Sequence, residues 1–452
     1  MNLNTTVMNC FVKNIAILIA LCGVVLPISA QETQVMGLKE CLEEGLQSNY
    51  SIQIIKNREQ QSSNNVTWGN AGYLPTVDLS AGYSTGVDNS TTTKDRATGT
   101  ESTVHGEFDH TVNVGVNLNW TIFNGFSVQT NYKRLKELER QGKTNTRIVL
   151  EDFIANMTAC YYDLIQQKIR LNNFRYAMNL SRERLRIVEA RYAIGNFSRL
   201  DYQQAKVDFN ADSAQYMKQQ EALQTARINL NELLANMQVN QFVGVADTSI
   251  FIYDNLDFNQ LWQSTLNTNA ELIIAEQNRT LSELELKRVK SRNYPYLRVN
   301  GGYGYTLNRF GAGTVERRSN LGFNAGVTLG FNIFDGNRSR ERRNARLEVE
   351  RQELIGQELK LALRADLSDL WHAYRNNLEL LKLERQNLVT AKENMEIAME
   401  RYMLGDLSGI EMREAQKSLL DAEERLLAVE YNTKMCEISL LQISGGITLY
   451  LE

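Results

Sequence analysis

Two heptapeptides combine residue types that do defined work at one spacing. Residues 195–201 read Gly-Asn-Phe-Ser-Arg-Leu-Asp, and residues 405–411 read Gly-Asp-Leu-Ser-Gly-Ile-Glu. Glycine accepts the left-handed conformation that stops a helix. A serine with an acid three positions on forms a capping box, in which hydroxyl and carboxylate each take a free amide of the next helix. Both stretches therefore spell a helix that stops, reverses and starts again. Asp201 and Glu411 are the box acids. Glu414 has no capping duty, and its counterpart is Gln204.

Other constellations carry less. His105 and His110 bracket Glu107 and Asp109. These are donor types a metal accepts, but they fall in a polar loop without helical spacing or cysteine support, and no metal site is assigned. His372 stands alone on a long helical tract. No nucleophile elbow, phosphate-binding loop or HExxH sequence occurs. The expectation is a protein that is not an enzyme and needs no cofactor. With 49 bases against 53 acids and a net charge of -4, no nucleic-acid partner is expected, because phosphate binding needs clustered positive charge.

The elements that must position the heptapeptides follow a targeting segment. Lys13 precedes an apolar run from Ile15 to Ile28, and Ser29-Ala30 offers a small-residue cleavage site. Residues 1–30 read as a signal peptide, with the mature chain starting at Gln31. Cys22 lies in the run, but the bulky Leu21 precedes it, which argues against a lipid anchor. The cysteines left, Cys41, Cys160 and Cys436, are odd in number and far apart; they read as small buried apolar residues, not a disulfide framework. A mean hydropathy of -0.37 excludes a bundle of membrane helices but not a β-barrel, whose alternating strands average out.

The mature chain is duplicated. Pro75 and Pro295 lie 220 positions apart in matching contexts, Tyr73-Leu74-Pro75 and Tyr294-Pro295. Leu38 and Asn49 relate to Phe258 and Asn269 by the same offset, Phe123-Asn124-Gly125 relates to Phe334-Asp335-Gly336 by 211, and Arg191-Tyr192 relates to Arg401-Tyr402 by 210. The expected division is a first repeat over 31–236, a linker over 237–257, a second repeat over 258–446 and a tail over 447–452. Each copy opens with helices running to about Trp68 or Lys290. Proline then ends helix and starts strand.

Strand pairs are expected at about 76–86 with 111–122, and 296–306 with 321–333. Val112, Val114, Val116, Leu118 and Trp120 alternate with Asn113, Gly115, Asn117 and Asn119. Leu321 to Ile333 alternate in the same way. One apolar and one small polar face over roughly 10 residues suits a membrane barrel strand, although a half-buried soluble strand shows the same period. The polar stretches Thr85 to His110 and Thr306 to Asn320 read as external loops. Helical tracts follow over Ser127 to Ala193 and Arg338 to Leu404, each of close to 67 residues. At about 1.5 Å per residue each spans on the order of 100 Å. No single core wraps such a helix, so it needs long partners as in a coiled coil. The tracts Ser198 to Ala235 and Ser408 to Ser444 supply them.

Each chain offers four strands, whereas small membrane barrels use about 8 or more and lipid does not tolerate open edges. The chain must assemble with copies of itself.

These residues resemble the TolC-like outer-membrane efflux proteins over nearly all of the mature chain. The resemblance is carried by Leu38-Lys39-Glu40-Cys41-Leu42 running to Asn49, by Leu74-Pro75, by Trp120-Thr121-Ile122-Phe123-Asn124-Gly125, by the Tyr-x-x-Gly tips and by the duplication. Tyr50 stands where the family usually has proline. The resemblance implies an α+β membrane protein in the outer membrane. A homotrimer would close a 12-stranded barrel continued by a periplasmic α-helical tunnel. Its implied partners are outer-membrane lipid, a periplasmic adaptor and an inner-membrane pump of an efflux or type I secretion system. It also implies a gate at Asp201, Tyr402, Glu411 and Glu414. The family's gate acids are typically aspartates, and its arginine two positions after the second glycine is Leu407 here. The implied adaptor-docking positions are Gly195, Asn196, Ser198, Gly405, Asp406 and Ser408. A ring of carboxylates repeated by symmetry would favour cations. The competing reading is a structural coiled-coil protein of the envelope without transport activity.

Overall fold

The computed structural model describes residues 34–241, 243–311 and 315–451. The expected signal peptide and the start at Gln31 lie outside them. Among the described residues no helix is long and apolar enough to cross a membrane.

The first repeat opens with α1 (Leu38–Ser48), α2 (Tyr50–Asn64) and a short α3 (Trp68–Ala71). Strands β2 (Thr76–Asp88) and β5 (Glu107–Asn124) follow, then α4 (Ser127–Ala193) and α5 (Arg199–Leu233). The second repeat has α6 (Phe258–Thr268), α7 (Ala270–Ser291), β7 (Tyr296–Arg309), β8 (Arg317–Gly330), α8 (Asn337–Leu404) and α9 (Gly409–Ile443). The 67 and 68 residues of α4 and α8 run without interruption. In the first repeat the helix expected to reach Trp68 ends at Asn64.

Four strands form one antiparallel sheet in the order β2-β5-β7-β8, so the repeats meet at β5 and β7. The register places Leu79, Val116, Tyr303 and Phe323 in one row and Gly82, Asn113, Thr306 and Asn320 in another. All rows alternate between the two faces. The apolar face is exposed: Leu79, Tyr303, Phe323 and Leu329 are each more than half accessible. On the opposite face asparagines lie flat over glycines. A Cβ at Gly82 would meet Asn113 Oδ1 at 2.4 Å, and one at Gly302 would meet Asn324 Oδ1 at 2.6 Å. Strands of 13 to 18 residues, at about 3.3 Å per residue, are long enough to cross a hydrocarbon band of roughly 25 Å even when tilted.

Two strand expectations need correction. β8 starts at Arg317 and ends at Gly330 rather than covering 321–333. Its last partner is Tyr296, and the preceding Pro295 has no amide to continue the ladder. The stretch read as a loop over Thr85 to His110 extends the β2–β5 ladder and carries a further hairpin, β3 (Thr91–Lys94) with β4 (Glu101–Val104). Its threonines favour strand as well as solvent.

Among the described residues the helices pack around three cores, two of them bridged by Ile252 and Leu256. One lies at mid-length around Leu42, Met157, Tyr161 and Leu230, a second around Leu367, Tyr374 and Leu440, and a third near the tips around Val188, Met395, Tyr402 and Met412. The linker straps the first core, since β1 (Gln34–Met36) pairs in parallel with β6 (Val243–Val245). The C-terminal 3-10 turn Ile447–Leu451 closes a cage around the fully buried Lys434. Its Nζ donates to Glu437 Oε1 at 2.6 Å and sits 4.7 Å from the ring centroids of Tyr162 and Tyr450. Burial pushes this ammonium below the usual lysine range, and Glu437 opposes the shift.

The duplication extends to side chains. Asn49 Oδ1 accepts from the amide of Ser51 at 2.9 Å, and Asn269 Oδ1 from that of Leu272 at 3.0 Å. Each then donates through Nδ2, at 3.0 Å, to the last carbonyl of its own repeat's return helix, Leu233 or Ile443. α2 thus begins at Tyr50 without proline.

Candidate functional site at the hairpin tips

Both tips have the conformation their residue types require. Gly195 and Gly405 take φ of +82° and +91°. The amides beyond them turn back on the helix, Asn196 to Arg191 O at 2.9 Å and Asp406 to Arg401 O at 3.0 Å. Ser198 Oγ accepts from the amide of Asp201 at 3.1 Å, and Asp201 Oδ2 accepts from that of Ser198 at 3.1 Å. Ser408 and Glu411 repeat this at 3.2 and 2.9 Å. Hydrogen bonds from Ser408 hold the Glu411 carboxyl below the usual carboxylate range. The two box acids are thus engaged in caps, whereas Glu414 is exposed.

Gly195, Asn196, Ser198, Gly405, Asp406 and Ser408 are all exposed. A Cβ at Gly195 or Gly405 would meet nothing within 4 Å. Around them Ile194, Leu200, Leu404 and Ile410 are at least 72% accessible. So much apolar surface beside polar backbone is a feature of interaction sites.

Between the tips lies a cavity of 400 Å³, lined by Asp201, Tyr402, Glu414, Arg184, Asp208 and Arg413 among others. The fold thus brings three of the four sequence-expected gate residues to one space, and Glu411 lies outside its lining. Tyr402 is 1% accessible. Burial raises its phenol above the usual range, and its hydroxyl has no partner among the described residues. Arg191 covers it, with the guanidinium 5.8 Å from the ring centroid and Nη2 donating to Met403 O at 3.1 Å.

A polar network running from about one to about four turns behind the tips has no counterpart in the sequence reading. Arg413 on α9 donates two hydrogen bonds to Asp212 on α5, at 2.6 and 2.8 Å. That pairing raises the guanidinium further above its usual value. Asp212 also accepts from Ser181 of α4. Gln416 Nε2 donates to Ser181 Oγ at 2.9 Å and to Ala177 O at 3.0 Å. Arg184, 4% accessible, pairs with Asp208 and reaches Gly409 O at 3.5 Å. Cations missing at Leu407 are therefore present on neighbouring helices. The available signal was the spacing Asp201, Asp208, Asp212, which puts three acids on one face of α5.

An apolar-faced, amide-lined sheet feeding helical hairpins of this length defines an outer-membrane channel protein extending into the periplasm. Residues 41–236 and 261–446 match the outer membrane efflux protein family, and the chain belongs to that family. It is 21% identical over 394 residues to outer membrane protein TolC of Vibrio cholerae, covering 85% of this chain and 84% of the relative. It shares its fold with the CmeC outer membrane channel of Campylobacter jejuni, at a TM-score of 0.74 and 17% identity over 90% of this chain and 85% of that one. The open state of the MtrE outer membrane channel of Neisseria gonorrhoeae gives 0.70 and 14% over 93% of each chain.

Proposed function

We propose that three copies of the chain close into a 12-stranded barrel and a helical tunnel, forming a passive export duct. The observation that carries this is the four-stranded sheet whose edges, β2 and β8, are unpaired among the described residues. Two copies would give eight strands, whose interior side chains fill; twelve is the next closure and leaves a passage. An exposed apolar stripe at seven-residue spacing on α8, Leu347, Leu354 and Leu361, supports helical contact between copies.

In this reading the tips are both gate and docking end. The Arg413–Asp212 pair and the Arg184 contact with Gly409 O bolt the second hairpin to the first, while Arg184–Asp208 ties α4 to α5 within the first. Opening separates the hairpins at the cavity beneath Tyr402, with Asp201, Glu411 and Glu414 repeated around the entrance. A periplasmic adaptor docks on the six exposed tip residues and links the duct to an inner-membrane pump. Reconstitution in planar bilayers tests the duct: discrete conductance steps are expected, and a protein that inserts without conducting would instead be an envelope scaffold. Docking has its own test. Gly405→Leu finds open space for its side chain but strains the left-handed backbone, so Asp406→Trp, at an exposed position of the same tip, is the cleaner variant: it should abolish export in cells while trimers still form, and retained export would remove the adaptor from that tip.

A further inference from the structure

The sheet-to-helix junction is charged in one repeat and nearly neutral in the other. Residues 287–298 and 335–346 of the second repeat carry ten bases and two acids. The equivalent stretches of the first, 67–78 and 124–135, carry two bases and one acid. Few of the ten bases are neutralised. Arg288 pairs with Glu285, and Arg292 with Glu341. Lys287, Lys290, Arg342, Arg343 and Arg346 are exposed and have no ion pair among the described residues.

Between the end of α7 and the start of α8 these bases border a cavity of 210 Å³, lined by Val289, Asn293, Asp335, Arg338, Ser339 and Arg342. Arg338 donates through Nη2 to Asn332 O at 2.8 Å, while its Nε is buried without a partner among the described residues. The N-cap position of α8 is Gly336, which has no side chain to cap the first turn. Two guanidiniums, a hydroxyl and a carboxamide together form a donor set for a phosphate, beside a helix start whose first amide alone is taken by a side chain. Asp335 is the single acid among the lining residues, and it accepts from the amide of Asn337 at 3.0 Å.

The shelf begins where the lipid-facing surface ends. Leu297 and Leu329 form the last apolar pair of the β7–β8 ladder. Beyond them Ile333 and Phe334 are at least 85% accessible, whereas Arg298, 4.6 Å from the Tyr296 ring centroid, lies on the opposite, polar face of β7. The helices leave the sheet on the periplasmic side, so the shelf stands at headgroup depth of that leaflet. Basic side chains at that depth attract anionic lipid over zwitterionic lipid.

We propose that this shelf binds anionic phospholipid of the periplasmic leaflet, with one phosphate seated between Arg338 and Arg342. The proposal rests on the membrane placement of the sheet, not on the duct or gate. Its test is native mass spectrometry of the purified full chain in nanodiscs of mixed phosphatidylglycerol and phosphatidylcholine. Wild type should retain phosphatidylglycerol selectively, less so at high salt. Lys290→Gln with Arg338→Gln and Arg342→Gln should cut that retention about tenfold. Arg338→Lys with Arg342→Lys should restore most of it, and Lys133→Gln in the first repeat should change little. Equal retention of both lipids would overturn the proposal, as would unchanged retention in the glutamine variant. Inorganic phosphate displacing the lipid at low millimolar concentration would assign a free-anion site and overturn it too. A chain that retains the lipid but never conducts would sink the duct reading and leave this one standing.

Discussion

Asn49 and Asn269 make the same bonds in the two repeats: each caps one helix and holds the end of another. Gln204 and Glu414 occupy equivalent turns of α5 and α9 and differ in charge. The comparison separates two kinds of residue. Where both copies keep a side chain and its geometry, as at Gly195 and Gly405 or Ser198 and Ser408, the residue builds the hairpin. Where the backbone repeats and the chemistry does not, an additional role is the economical explanation. Divergence concentrates at the two ends of the second repeat: the acidic α9 tip with its Arg413, and the basic junction near the membrane.

The strongest way to break this division is to cut the bond between the copies. Asp212→Ala leaves the Arg413 guanidinium without its partner in a largely buried site, and losing one member of such a pair costs about 3–5 kcal/mol. Partial exposure of Arg413 places the expected loss at the lower end. Tip amides should exchange faster with deuterium, and conductance should rise. Unchanged exchange would show that the hairpins are held elsewhere.

The next test asks whether conserved geometry carries equal weight. Asn49→Ala and Asn269→Ala should each cost about 1–2 kcal/mol, a cap plus a hydrogen bond, with matching shifts in urea midpoint. A shift in only one variant would mean that the repeats are not equivalent even where their contacts are.

Smaller effects are expected at the caps. Ser198→Ala and Ser408→Ala should each cost about 1 kcal/mol of local helix stability, read by hydrogen exchange of the following turn. The Glu411 box also depends on pH. Its carboxyl is held below the ordinary value, so its stabilisation is complete above that value and lost as pH falls through the lower, folded one. Tip protection in the second hairpin should therefore persist at mildly acidic pH and fade only below the usual carboxylate range. Loss near neutrality would contradict the box.

The smallest expected effect separates charge from structure. Glu411→Ala with Glu414→Ala should lower cation selectivity of reconstituted channels, most visibly in dilute salt, because screening shortens from about 10 Å at 0.1 M to about 3 Å at 1 M. Glu414→Gln, which copies the first repeat, isolates the charge. Unchanged selectivity in both variants would leave the acids as caps and surface.

Much of the fold is legible in the sequence because it rests on period. Period-two alternation marks β5 and β8, glycine and serine mark the tips, and the single proline of each repeat marks the entry to the strands. The straps β1 and β6 are too short to show a period. The β3–β4 hairpin hides in threonine-rich sequence that reads equally as loop. Among the site residues, the caps are local and therefore readable. The Arg413–Asp212 bond joins positions far apart on different helices, and nothing local to either residue names its partner. An overall charge of -4 likewise conceals the ten bases gathered at one junction.

The central claim is that the open edges β2 and β8 find each other on neighbouring copies and close after three. The most direct measurement is crosslinking of chains carrying Ser80→Cys on β2 and Gly322→Cys on β8. Both positions face the polar side of the sheet. Because barrel closure staggers the register between copies by a fixed shear, Ser80→Cys is also paired in turn with Asn320→Cys, Asn324→Cys, Gly326→Cys and Thr328→Cys on the same face of β8, and a short bismaleimide would join whichever pair meets between copies in native membranes. The expected product is a ladder that stops at three chains, with a closed circular species at its top. A ladder that stops at one or two chains, or continues without limit, would contradict the account.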